Sequence, residues 1–260
     1  MLSQRLDCAF ICHPIPFLGC SRHGSKSYLH ISFMYEYIFL IIDSDTLSVY
    51  SENRSILRKI FNKISWVRHF FIRCDPTLPM PFCIKDDVFY CKSEESFIPG
   101  ILNKTISAFE FVLSNFTCKY IVRANLSSFW NIPKLLSQHG QNSENSKYVF
   151  AMINNYGFPY PSGAGFIISP EIAKRIVENK HLLNKNLIDD MAIGELINKL
   201  NIPYKEAKRF DLILNNQNAL HTRESLQNII GDNYHFRVKG EPNRTYDNKI
   251  FNILFDIMYK

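Results

Sequence analysis

The stretch YIFLII, residues 37–42, is apolar at every position. A strand with one face in water alternates polar and apolar residues, so a strand that is apolar throughout has to be covered on both faces. RSILRKIFNKI (54–64) follows with apolar residues at helical spacing, and the alternation then recurs. WVRHFFIR (66–73) and DVFYCK (87–92) read as strands, ILNKTISAFEFVLSNF (101–116) as an amphipathic helix after the Pro99-Gly100 turn, and KYIVRA (119–124) as the next strand. NIPKLLSQHG (131–140) reads as a short helix stopped by Gly140, and KYVFAMI (147–153) as another strand. Strands alternating with helices predict an α/β domain with a mainly parallel sheet.

The second half has a different texture. YGFPYPSGAGFIIS (156–169) carries two prolines and three glycines and predicts a loop for close approach ahead of a strand. Ser169-Pro170-Glu171 opens a helix, with proline where its missing N–H costs nothing. LIDDMAIGELINKLNI (187–202) is a further helix with Asp189 and Asp190 at its positive end. One boundary is expected, near residue 30: a peripheral segment 1–30, broken by His13, Pro14 and Pro16, and a single domain 31–260.

Composition narrows the classes. With 46% hydrophobic residues, 21 Phe and 13 Tyr, the chain can bury a sizeable core. No apolar run reaches the roughly 18–20 residues of a membrane span. Seven cysteines without a C-x-x-C pair fit neither a disulfide framework nor a zinc knuckle, so a cytoplasmic or other reducing compartment is expected. The net charge of +6 is scattered along helices with no basic block, which suits a phosphorylated small molecule and gives no nucleic-acid signature.

Four constellations could carry chemistry. Arg54 and Arg58 share one helix face, as a solvated face or as two cations at a ligand. Gly163 and Gly165 make a tight turn or let backbone approach a ligand without a Cβ in the way. Of Asp189 and Asp190, one can cap the helix while the other faces a cleft as general base. Asp43-Ser44-Asp45 follows the first strand as a turn, a base and ribose contact, or a metal site.

In order, these pieces resemble the inverting β-1,3-galactosyltransferase and N-acetylglucosaminyltransferase family, with the fringe proteins as relatives. YIFLII with the R-x-x-x-R-x-x-F helix is similar to that family's first strand and its R-x-A-I-R-x-T-W helix, and WVRHFFI to its second strand. SEESFIPGILNKTISAF resembles D-S-Y-x-N-L-T-L-K-T, with Lys104-Thr105 matching. YPSGAGFIIS resembles Y-P-x-Y-x-S-G-x-G-Y-V-L-S, and IDDMAIG resembles E-D-V-x-V-G. The likeness covers about 37 to 202 and thins to HFRVKG (235–240), where His235 looks like a C-terminal metal-binding histidine and Lys239 could meet a diphosphate.

The resemblance implies a GT-A type α/β/α sandwich and transfer of a sugar from a nucleotide-diphosphate-sugar to an acceptor hydroxyl with inversion, with Asp190 as base and Gly163, Gly165 and Asp189 on the acceptor side. It also exposes a departure. YIVRANLSSFW (120–130) falls on K-T-D-D-D-V-F, so Asn125-Leu126-Ser127 stands where the family's metal-binding D-x-D is expected. The donor diphosphate would then rest on Arg54, Arg58, Lys104, Arg123 and Lys239, with Asn125 and Ser127 on ribose or sugar hydroxyls. A divalent cation such as manganese stays an open alternative, with His235 as one ligand. Two other readings compete: an inactive relative that binds a glycan or nucleotide, and a basic nucleic-acid-binding protein.

Overall fold

The computed structural model describes residues 34–44, 48–214, 222–240 and 244–260, all within one compact unit, Phe33–Lys260. The expected peripheral segment 1–30, and Asp45, lie outside the described residues. In chain order the strands are β1 (Met34–Ile42), β2 (Val67–Cys74), β3 (Phe82–Lys85), β4 (Val88–Cys91), β5 (Thr117–Asn125), β6 (Ser128–Trp130), β7 (Val149–Asn155), β8 (Pro159–Ile168), β9 (Tyr204–Glu206), β10 (Arg209–Leu214) and β11 (His235–Gly240). The α-helices are α1 (Ser48–Phe61), α2 (Gly100–Asn115), α3 (Ile132–Leu135), α4 (Pro170–Glu178), α5 (Asp189–Lys199), α6 (Arg223–Ile230) and α7 (Thr245–Met258).

Eight strands form the main sheet in the order β3-β4-β2-β1-β5-β8-β7-β9, with β4, β2, β1 and β5 parallel and β8 antiparallel to both its neighbours. β1 sits inside it, and Tyr37 to Ile41 are at most 1% exposed. Tyr37, Phe39 and Ile41 pack with Ile56, Leu57 and Ile60 of α1 and Phe251 and Leu254 of α7. Ile38 and Leu40 pack on the other side with Phe109 of α2, Ile172 of α4 and Ile193 of α5. This is the expected α/β/α sandwich, and each large side chain buried this way contributes about 1.5–3 kcal/mol. Among the described residues no helix is long and apolar enough to cross a membrane.

Three expectations shift. The proline- and glycine-rich stretch is a strand, β8, rather than a loop. Its Pro159 and Pro161 fall where only β7 is alongside, next to the irregularity at Ala151/Ile153, so their missing N–H groups interrupt little of the ladder. The helix expected over 131–140 is α3 alone, capped by Asn131, and it widens into a π-turn over Leu136–Gly140. β4 gains an edge partner, β3, through a tight hairpin at Asp86, whose φ of 57° an aspartate tolerates well.

A second, three-stranded sheet in the order β10-β11-β6 closes the carboxyl ends of the main strands. One of its faces carries Phe129 and Phe236, both fully buried, and Phe129 meets Phe251 of α7 edge-on at 5.4 Å.

Candidate functional site

β1 and β5 end side by side, Ile42 opposite Asn125, and Ala124 of β5 pairs with Gly165 of β8. The chain then turns sharply into β6, and Asn125 builds that turn. Its Oδ1 accepts from the Ser127 amide at 3.1 Å, Ser127 Oγ at 2.8 Å and Ser128 Oγ at 2.9 Å, and its Nδ2 donates to the Gly163 carbonyl at 3.2 Å. Ser128 Oγ also reaches the Ala164 carbonyl. Asn53 of α1 donates to the Leu126 carbonyl at 2.9 Å and pins the turn from below. An asparagine does this where an aspartate could not, because both its donor and its acceptor are used.

The two aspartates at the head of α5 have separate tasks. Arg123 of β5, 3% exposed, donates to Asp189 and to the Gly163 carbonyl. Asp190 Oδ2 accepts from the Gly163 amide at 2.8 Å, and its Oδ1 accepts from the Met191 amide at 2.9 Å. Neither side chain caps the helix from the N-cap position, which is held by Ile188 without a side-chain bond. The expected division between a cap and a cleft carboxylate is therefore replaced by an ion pair and a backbone-tethered carboxylate. Burial, and then the Asp189 charge, raise the proton affinity of Asp190 above the usual carboxylate range, against the pull of Arg123 and the two amides.

The glycines serve this packing. A Cβ on Gly163 would lie 2.7 Å from Asp190 Oδ2, and one on Gly165 would lie 2.6 Å from Trp130 Cζ2 and 2.8 Å from His235 Cε1. The room they leave is filled by the protein's own groups.

The small sheet supplies the rest. Its register places Trp130, His235 and Arg209 in one row and Ser128, Arg237 and Asp211 in the next, with Lys239 beyond. Residues paired across adjacent strands share a face, and this face turns toward β8: Arg209 donates to Ser162 Oγ at 2.6 Å, and His235 lies against Gly165. Arg209 also grips Asp211 with two bonds of 2.6 and 3.0 Å. His235 is 1% exposed and stacks on Trp130 at 3.9 Å, its Nε2 without a hydrogen-bond partner among the described residues. Burial, helped by the charges of Arg209 and Arg237, keeps it neutral.

Arg54 and Lys104 also come to the end of β1. Arg54 and Arg73 bond the fully buried Asp43 at 2.9 and 2.7 Å. Lys104 bonds the Asp43 carbonyl at 2.9 Å and Glu95 at 2.6 Å. Arg58 is elsewhere: one turn further along α1, it forms a bidentate pair with Asp87 at 2.7 Å beside His69. Arg209, Arg237 and Asp211 were not singled out from the sequence, although RFD and HFRVK alternate polar and apolar residues and carry the signal.

The described residues at this site do not fit a divalent cation. Among the described residues no three of His, Cys, Asp and Glu converge. Asp189 is spent on Arg123, Asn125 Oδ1 already takes three donors, and the orphaned His235 nitrogen sits beside two guanidinium groups.

Residues 137–208 match the family model described as Galactosyltransferase. The match falls short of half the chain and contains Gly163, Gly165, Asp189 and Asp190. Among solved structures, the chain is similar to a glycosyltransferase involved in the glycosylation of the major capsid of PBCV-1, at 10% identity and a TM-score of 0.50 over 84% of this chain and 98% of that one. It is also similar to the galactosyltransferase LgtC in complex with donor and acceptor sugar analogues, at 10% identity and a TM-score of 0.45 over 86% and 96% of the two chains. No curated protein matches the sequence. The fold is GT-A type. In that frame Asp190 lies inside the matched stretch, and Asn125 and the small sheet lie outside it.

Proposed function

We propose that this protein is a glycosyltransferase that moves a sugar from a nucleotide-diphosphate-sugar to an acceptor hydroxyl with inversion. The observation that carries the reading is Asp190: a buried carboxylate of raised proton affinity, held by the Gly163 amide within the segment that matches the Galactosyltransferase model. As the acceptor oxygen bonds to the anomeric carbon, its proton passes to Asp190. The bond from that carbon to the donor phosphate breaks, and the nucleoside diphosphate leaves with the electron pair. Arg123 fixes Asp189 and the Gly163 carbonyl, and so holds the base in place rather than touching the substrate.

A second reading is a relative that binds nucleotide-sugars or glycans without transfer. It is favoured by Asn125-Leu126-Ser127, which offers no carboxylate at the end of β5. A panel of nucleotide-sugars, followed for both transfer and donor hydrolysis, separates the two. Turnover of any donor that stops in Asp190→Asn supports the transferase, while saturable binding with no turnover across the panel supports the binder.

A further inference from the structure

We propose that the polar face of the small sheet, with Arg237 at its centre, seats the donor diphosphate without a divalent cation. The inference rests on the glycosyltransferase reading and adds to it the group that holds the leaving phosphates.

The face brings Arg123, Arg209, Arg237 and Lys239 together with Asp189, Asp190 and Asp211. These cations are not equivalent. Arg123 and Arg209 are 3% and 2% exposed; Arg123 bonds Asp189 and Gly163 and leaves its buried Nε without a partner among the described residues, and Arg209 bonds Ser162 and Asp211. Arg237 is 31% exposed and reaches Asp211 only at 4.0 Å, and its Nε has no hydrogen-bond partner among the described residues. Of these three guanidinium groups it is the one a ligand can reach, and a guanidinium fork matches two phosphate oxygens.

Its position follows from strand pairing. Arg237 is opposite Ser128, and the next amide, Val238, donates to the Ser127 carbonyl at 2.8 Å. The arginine is thereby delivered to the turn at the end of β5, beside two serine hydroxyls and across from β8. The neutral amide and hydroxyls of that turn demand no cation of their own, and a metal ion brought there would meet guanidinium groups on both sides of His235. A diphosphate placed there meets the Arg237 guanidinium, with Asp211 beside it held by Arg209.

The test is calorimetry on the purified full chain with UDP, GDP, ADP, their free nucleosides and inorganic pyrophosphate, each with EDTA and with manganese. At least one nucleoside diphosphate should bind equally in both conditions. Arg237→Gln should weaken diphosphate and pyrophosphate about 10- to 100-fold and leave nucleoside affinity unchanged, and Arg237→Lys should fall between. Lys174→Gln, on the exposed side of α4, should change nothing. If Arg237→Gln does not fold, Arg237→Lys decides: affinity equal to the parent overturns the proposal. Loss of binding on chelation, or parental diphosphate affinity in Arg237→Gln, also overturns it while transfer persists. Absence of binding by every nucleotide and nucleotide-sugar would instead remove the glycosyltransferase reading beneath it.

Discussion

At the scale of single residues, Asp190 and Asp189 should fail differently. Asp190→Asn keeps the shape of the side chain but offers one acceptor oxygen where the Gly163 and Met191 amides use two, so it keeps one of those bonds, and it cannot take a proton. Transfer should fall by roughly 10² to 10⁴ with donor affinity unchanged. Its stability moves the other way. The folded protein binds this proton more tightly than the unfolded chain does, so stability drops as pH rises through the window between the ordinary and the raised carboxylate values. The ionised form above that window is a cost that Asp190→Asn removes while it gives up one amide bond, so at neutral pH its melting temperature should stay close to that of the parent. The same raised value places the acid limb of the transfer rate above the pH of an ordinary carboxylate. Asp189→Asn leaves Arg123 buried and unpaired, and urea titration should show a loss of about 3–5 kcal/mol, more than a missing helix cap would cost. Gly163→Ala should lower transfer, because its Cβ and Asp190 Oδ2 cannot both keep their places.

At the scale of elements, the turn after α3 makes an independent prediction. His139, 2% exposed, accepts from or donates to Tyr37 Oη at 3.0 Å. Burial, and then the charge of Lys205, push its pKa down to about 3. The unfolded chain takes up a proton here below about 6.5 while the folded state refuses it, so stability is lost as pH falls from about 6.5 to about 3, by an order of a few kcal/mol. In the double variant Tyr37→Phe/His139→Phe, the slope of unfolding free energy against pH in that window should shrink by about one proton, as measured by urea titration at several pH values. The elements themselves were unevenly legible. β1, α2 and α4 announce themselves through continuous apolar runs, period 3.6 and a Ser169-Pro170 start. β8 hid behind prolines and glycines that mark turns in isolation and here mark a strand end with one neighbour and a strand crowded by Trp130, His235 and Asp190. Asp189 and Asp190 were visible as a pair, but Arg123 as the partner of one of them depends on a contact between β5 and α5. The grouping of Arg209, His235, Arg237 and Trp130 depends on a register between segments about a hundred residues apart, which no local pattern contains.

For the whole molecule, a ligand that binds only the folded state raises its melting temperature. A nucleoside diphosphate at about 100 times its dissociation constant adds about 2.7 kcal/mol, which for a chain of this size corresponds to roughly 5–10 °C. That shift should appear in EDTA and shrink in Arg237→Gln. Oligonucleotide affinity that fell steeply with salt would point instead to a polyanion surface. The closing strand has a consequence for when the protein can act. β11 comes from the last tenth of the chain, yet its Val238 amide fastens onto Ser127, and α7 behind it lies on α1, where Asn252 bonds Glu52 at 2.9 Å. During synthesis, the strands around β1 and β5 emerge from the ribosome long before β11, so a nascent chain can assemble most of its main sheet while the proposed donor site still lacks the wall that β11 forms. On the proposed reading, the donor site closes only when β11 has joined β6, and a product cut short before His235 would lack that wall.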